Sequence, residues 1–370
     1  MKSDTYLPAP PPPRVQNECP NLDLTAVRHR VDRRLEEFLD AKAEAAHARH
    51  LPPEVTSLLR DFVLNGGKRV RPLLCAVGWC AAGGDPQPPE YVIQAAASLE
   101  MFHAFALIHD DVMDGALLRR GTPTVHRALA ATYSHLRDPD RFGEHSAILL
   151  GDLAHAWSDE LLHSAGIPDG RAAAVRTVTN AMRSEVMFGQ YLDLLATGPP
   201  QDDADAALRI VRYKTARYTV ERPLHLGAAL AGAEPDLLTS LSAYALPIGE
   251  AFQLRDDVLG TFGDPRETGK PCLDDLRDGK GTLLVALAMQ HADEEQRRTL
   301  RALIGSPGLG EEDAERIRHL LCVTGARAAV EQLIGVRREQ AQQALDQANL
   351  TPAATAALQE IALTSTVRTS

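Results

Sequence analysis

The chain has 370 residues, 44% hydrophobic and 24% charged, an ordinary composition for a folded protein with a sizeable core. Its formal net charge of -11 argues against general binding to nucleic acid or to an anionic membrane surface, because no basic excess exists to displace counterions. The five cysteines are scattered with no CxxC pair, and no segment approaches about 20 uninterrupted apolar residues, so the chain reads as reduced, cytoplasmic and without a transmembrane segment.

Residues 1–20 are dominated by proline and lack the apolar stretch of a signal peptide, which predicts a disordered extension or a proline-rich docking arm. From Leu22 the spacing turns helical: Val27, Val31, Leu35, Phe38 and Leu39 form one stripe, with Asp23 or Asn21 as its cap. Pro52-Pro53 opens a second helix, which stops at Asn65-Gly66-Gly67. Lys68-Arg69-Val70-Arg71 follows, either an anion site at a glycine-flanked helix start or a solvated basic turn. Another helix runs from about Pro89 through Leu99 and Phe102 into Asp110-Asp111-Val112-Met113-Asp114. His103 lies two turns before Asp110 on nearly the same face. Arg119-Arg120-Gly121 makes a basic turn, and residues 130–146, with Asp138-Pro139 and Gly143 as breakers, predict a loop.

Helical patterns then cover Ala147 to Ser164 and Arg171 to Ala196, and a helix beyond Pro200 holds Tyr213, Lys214, Thr215 and Tyr218. A long apolar helix from Leu237 ends in Gln253-Leu254-Arg255-Asp256-Asp257. Thr261 to Gly281, rich in Gly, Pro, Asp and Lys, predicts a mobile loop whose Lys270 and Lys280 suit a polyanion. The remainder is helical to about Ile361, with no convincing strand. The predicted architecture is all-α: one helical bundle over residues 21–365 around a central apolar cavity, with residues 366–370 as a tail.

Asp110 and Asp114 stand one helical turn apart, and like charges at that spacing repel. Taken alone they read as a solvated acidic turn or as ligands for a hard cation such as Mg²⁺. Lys68, Arg69, Arg71, Arg119 and Arg120 are the candidate phosphate-binding cations. Two acidic clusters at the ends of apolar helices suggest a charged mouth over an apolar interior, a shape that holds a diphosphate joined to a hydrocarbon.

Seven pieces in order carry a family resemblance: GGKRVRP (66–72), HAFALIHDDVMD (103–114), RRGTPTVH (119–126), GQYLD (189–193), KTARYT (214–219), FQLRDD (252–257) and GKPCLDDLRDGKGT (269–282). The chain resembles the trans-type isoprenyl diphosphate synthases. That resemblance implies condensation of isopentenyl diphosphate with an allylic diphosphate, helped by three Mg²⁺ ions, in a homodimer. It makes Asp110, Asp114 and Asp256 the metal ligands. It places Arg119, Lys214, Gln253 and Lys270 at the allylic diphosphate, and Lys68, Arg71, His103 and Arg120 at the isopentenyl diphosphate. Thr215 and Gln253 would face the developing cation.

The second motif reads DDVLG, so Gly260 stands where many members have a third Asp, which weakens the case for Asp257 as a direct ligand. Phe105 and Ala106, fifth and fourth before Asp110, resemble the pocket floor of geranylgeranyl diphosphate synthases more than of farnesyl ones. Phe105 lies about 7.5 Å along the axis from Asp110. Phe102 is the other candidate stop, and both rings also fit a simple core role. A farnesyl or longer-chain product, a class I terpene cyclase and a non-catalytic partner subunit are the competing readings. The cyclase lacks its second motif here, and the subunit would be expected to have lost an acidic motif.

Overall fold

The computed structural model describes residues 21–263 and 273–366, and among these the architecture is all-α apart from one minimal hairpin. In chain order come α1 (Leu24–Ala48), α2 (Pro53–Leu64), α3 (Val70–Ala81) and α4 (Glu90–Met113). The hairpin, β1 (Leu118–Arg119) and β2 (Thr122–Pro123), leads to α5 (Val125–Thr132), α6 (Pro139–His163), α7 (Asp169–Ala196) and α8 (Ala204–Ile210). A π-helix over Val211–Glu221 runs without a break into α9 (Arg222–Ala231). Then follow α10 (Pro235–Phe262), α11 (Asp274–Arg277), α12 (Leu283–His291), α13 (Glu294–Leu303), α14 (Glu311–Val323), α15 (Ala326–Gln347) and α16 (Pro352–Thr366).

Local chemistry sets these boundaries. Asp23 caps α1 by accepting from the Ala26 amide, and Asp293 and Gln296 form a reciprocal capping box on α13. α4 is apolar on nearly every side, with Ile93, Leu99, Met101, Phe102 and Ile108 fully buried, so it sits at the centre and packs most extensively on α6. By length and composition α4 is apolar enough to cross a membrane, contrary to the expectation that no segment approaches a span, but most of it is buried inside the protein.

One further expectation is corrected and three are refined. The loop at 130–146 is largely helical, because Asp138 caps α6 through the Arg141 amide and Pro139 occupies its first turn; the punctuation marks a start. Gly143 is a close-approach residue, since a Cβ there would lie 2.2 Å from the His126 carbonyl oxygen. Two strands exist, joined by Arg120 and Gly121, both at positive φ (53° and 77°), and they are too short to show alternation. The segment with Lys214 is a π-helix, the rare winding that recurs at functional sites. Within the expected mobile loop, Asp274–Arg277 is helical, while Lys270 lies outside the described residues, as do residues 1–20 and 367–370.

Candidate active site

Asp110, Asp111 and Asp114 crowd the C-terminal turn of α4, where mutual repulsion and the helix dipole both disfavour negative charge. Cations from three other segments offset this. Lys214 Nζ donates to Asp110 Oδ1 at 3.0 Å and to Asp193 Oδ2 at 2.6 Å. Arg119 Nε donates to both oxygens of the buried Asp111 at 2.7 and 2.8 Å, and its Nη2 reaches Asp110 at 3.2 Å. Lys280 Nζ lies 3.3 Å from Asp114 and 3.3 Å from Asp275. Burial pushes the Asp110 carboxyl up, but Lys214, Arg119 and Lys280 outweigh it and leave its pKa below the ordinary value. Asp114 shifts the other way, raised by burial and by Asp110 against the pull of Lys280.

The second acidic motif is joined to the first through the π-helix. Lys214 holds Asp110 while the adjacent Thr215 donates to Gln253 Oε1 at 2.7 Å, and Gln253 Nε2 donates to Asp257 Oδ1 at 2.8 Å. Burial pushes Asp257 up to about 7, with Asp275 and Asp256 adding to the rise. The space beside Gly260 is taken: a Cβ there would lie 2.4 Å from Asp275 Oδ2.

α4 and the π-helix meet again at His103, whose Nδ1 is 3.3 Å from the Tyr218 hydroxyl. Arg71 lies 4.4 Å over the Tyr218 ring and donates to Thr219 Oγ1 at 2.7 Å. Arg120 packs against Gly66 and Gly67, and Lys68 is exposed beside them. Burial, then Arg71, Arg119 and Arg120, hold the His103 imidazole well below its usual pKa, so it is neutral at neutral pH. Arg69, a candidate phosphate contact, is instead buried and bonded to Asp32, Glu100 and the Val63 carbonyl.

Below the acidic turn the Phe105 ring packs on Phe102 (5.1 Å between centroids), His109 (4.8 Å) and His155 (5.0 Å), with Ala106 partly buried beside it. Phe102 is fully buried against Tyr218. A groove of about 580 Å³ between α13 and α14, lined by Asp293, Glu312, Arg316 and His319, shares no residue with this constellation.

Among the described residues no three His, Cys, Asp or Glu side chains are already gathered as a metal cage. The donor set still fits Mg²⁺, whose few carboxylate ligands are completed by water and phosphate oxygens, and Lys214 and Lys280 already mark where positive charge is wanted. Asp193 and Asp275 belong to the constellation although neither was picked out as a site residue from the sequence, Lys280, expected only to suit a polyanion, joins them as a partner of Asp114, and Asp111 serves as the anchor of Arg119. The first three lie inside the GQYLD and GKPCLDDLRDGKGT pieces, so the motifs contained the signal.

Residues 52–322 match the polyprenyl synthetase family model. A geranylgeranyl pyrophosphate synthase from Corynebacterium glutamicum, solved with isoprenyl diphosphate and magnesium, superposes with a TM-score of 0.88 at 42% identity, covering 94% of this chain and 100% of that one. A geranylfarnesyl diphosphate synthase from Aeropyrum pernix is 34% identical, covering 74% of this chain and 81% of the relative. A (2E,6E)-farnesyl diphosphate synthase from Mycobacterium bovis is 35% identical, covering 71% and 69%. With the motifs folded into one constellation and these likenesses over most of its length, the chain belongs to the polyprenyl synthetase family, the trans-type isoprenyl diphosphate synthases, and is a prenyl-transferring enzyme.

Proposed function

We propose that the all-α unit of residues 21–365 condenses isopentenyl diphosphate with allylic diphosphates and that its main product is geranylgeranyl diphosphate (C20). The observation that carries this reading is the double bridge from adjacent residues, Lys214 to Asp110 and Thr215 to Gln253, which brings the two acidic motifs together. Asp110, Asp114 and Asp256 would hold three Mg²⁺ ions, which when bound neutralise and orient the diphosphate. Arg119, Lys214, Gln253 and Lys270 grip the allylic diphosphate as its C–O bond breaks. Lys68, Arg71, His103 and Arg120 hold isopentenyl diphosphate so that its double bond meets the allylic cation. Thr215 and Gln253 turn fixed dipoles toward that cation, and the departed diphosphate takes the proton.

The product assignment is supported by Phe105 under the acidic turn with Phe102, His109 and His155 behind it. Relatives named for farnesyl and geranylfarnesyl products keep the shorter and longer chains as the alternatives. We further read the enzyme as a cytoplasmic homodimer. Leu149 on α6 and Phe188, Tyr191 and Leu195 on α7 are each more than 60% exposed, large side chains that a second copy would cover. The test is incubation of the purified chain with Mg²⁺, isopentenyl diphosphate and each allylic primer. A C20 product supports the reading; a C15 product, or one longer than C20, corrects the length, and no turnover with any primer overturns the function.

A further inference from the structure

Three cations stand within four residues at 68–71, yet the fold separates them. Arg69 has a left-handed backbone (φ 53°) at the head of α3, which turns its side chain inward. Its side chain is 5% exposed, and the guanidinium ties three helices together. Nε donates to Asp32 of α1 at 2.7 Å, Nη1 to Glu100 of α4 at 3.1 Å, and Nη2 to the Val63 carbonyl in the last turn of α2 at 2.8 Å. That carbonyl has no partner within its own helix, so the bond also closes the end of α2. Glu100 is itself buried, and its carboxylate needs a partner there.

Left-handed backbone at a non-glycine residue persists only where its surroundings over-determine it. Among the described residues three non-glycine positions have positive φ, His50, Arg69 and Arg120, and two of these flank the same Gly66-Gly67 turn. A Cβ at Gly67 would lie 3.2 Å from Arg69 Nη1 and 3.7 Å from Arg120 Nη1 and Nη2, so the turn is wedged between the two guanidiniums. Lys68 is attached directly to Arg69, and Arg71 lies in the first turn that Arg69 heads.

We propose that Arg69 is a positioning residue for isopentenyl diphosphate: its buried three-way tie fixes the rotation of the 66–71 turn and so aims Lys68 and Arg71 at the diphosphate. This rests on the site assignment made under Proposed function. Arg69 itself meets no substrate; two carboxylates and a carbonyl occupy its three nitrogens. Loss of the tie therefore loosens one substrate and spares the other, because the allylic contacts Arg119 and Lys214 are held by Asp111, Asp110 and Asp193 instead.

The experiment uses two variants of the full chain. Arg69→Lys keeps the charge without the planar fork, and Arg69→Met with Glu100→Leu removes the buried pair together, leaving only Asp32, whose carboxylate is exposed enough for water to solvate it. Folding is checked by circular dichroism, binding of isopentenyl diphosphate by calorimetry, and both KM values by steady-state kinetics. The expected result is that KM and Kd for isopentenyl diphosphate rise roughly tenfold or more while KM for the allylic primer stays within about twofold. A folded variant with both KM values unchanged, or with both raised equally, overturns the positioning role. Failure of the wild-type chain to bind isopentenyl diphosphate overturns the underlying site assignment, and the proposal with it.

Discussion

Replacement of Gly189 by alanine tests whether the spacing between α7 and the π-helix sets the position of Lys214. A Cβ at residue 189 would lie 2.5 Å from the Lys214 backbone nitrogen and 2.7 Å from its Cα. Ordinary contact begins at 3.4 Å, so the two helices must open by about 0.9 Å against backbone that cannot rotate away. Overpacking of this kind costs about 1–3 kcal/mol of stability. The same shift pulls the lysine from Asp110 and Asp193, now at 3.0 and 2.6 Å, and a misplacement near 1 Å costs on the order of 10²-fold in rate. The assay pairs thermal unfolding with kcat at saturating substrates for Gly189→Ala and Gly78→Ala. A Cβ at Gly78 would come within 2.0 Å of the Leu224 carbonyl oxygen, a still closer clash placed seven residues beyond Arg71 in α3. The expected outcome is a loss of stability in both and a loss of kcat of about two orders of magnitude in Gly189→Ala alone. Wild-type kcat in folded Gly189→Ala refutes the reasoning.

Gly260→Asp puts a side chain where Asp275 Oδ2 now lies, and the displaced carboxylate should loosen its hold on Lys280; the Mg²⁺ concentration giving half-maximal rate rises, and an unchanged titration counts against it. Phe105→Ala should lengthen the product, read by chromatography, at a stability cost of about 3 kcal/mol or less for a partly buried ring. An unmoved product distribution removes Phe105 as the floor. Stability should fall on acidification below the ordinary histidine pKa of 6.5, because burial lowers His103, His126, His155 and His225 in the fold. At these four sites the unfolded chain binds more protons than the folded one, so their contribution is complete above 6.5 and declines as pH drops toward the lowered values, and the four together should outweigh the opposite gain from Asp257, whose carboxyl, raised to about 7, takes up a proton in the fold over the same range. A melting temperature equal at pH 8 and pH 5 contradicts this.

The helices were legible because their apolar spacing and caps are local: Asp23, Thr282 and Asp293 each cap the helix that follows. Asp138-Pro139 was misread for an equally local reason, since the same pair ends one pattern and begins another. The π-helix left no trace in the periodicity, because eleven residues of mixed polarity fit either winding, and the tertiary contacts of Lys214 and Thr215 decide it. The two acidic motifs could be found as runs of aspartate. Their junction could not, as it depends on Lys214 meeting a carboxylate 104 positions away. In the Lys68 to Arg71 run, nothing in residue type distinguishes the guanidinium that faces inward. That choice follows from the left-handed backbone of Arg69 and from Glu100, thirty-one residues on.

Lys214 and Lys280 act as counterions built into the chain. Each bridges two carboxylates, Lys214 those of Asp110 and Asp193 and Lys280 those of Asp114 and Asp275, so the chain itself offsets part of the negative charge at this turn. Folding then need not wait for a cation: a chelator should abolish turnover while leaving the melting temperature of the scaffold unchanged.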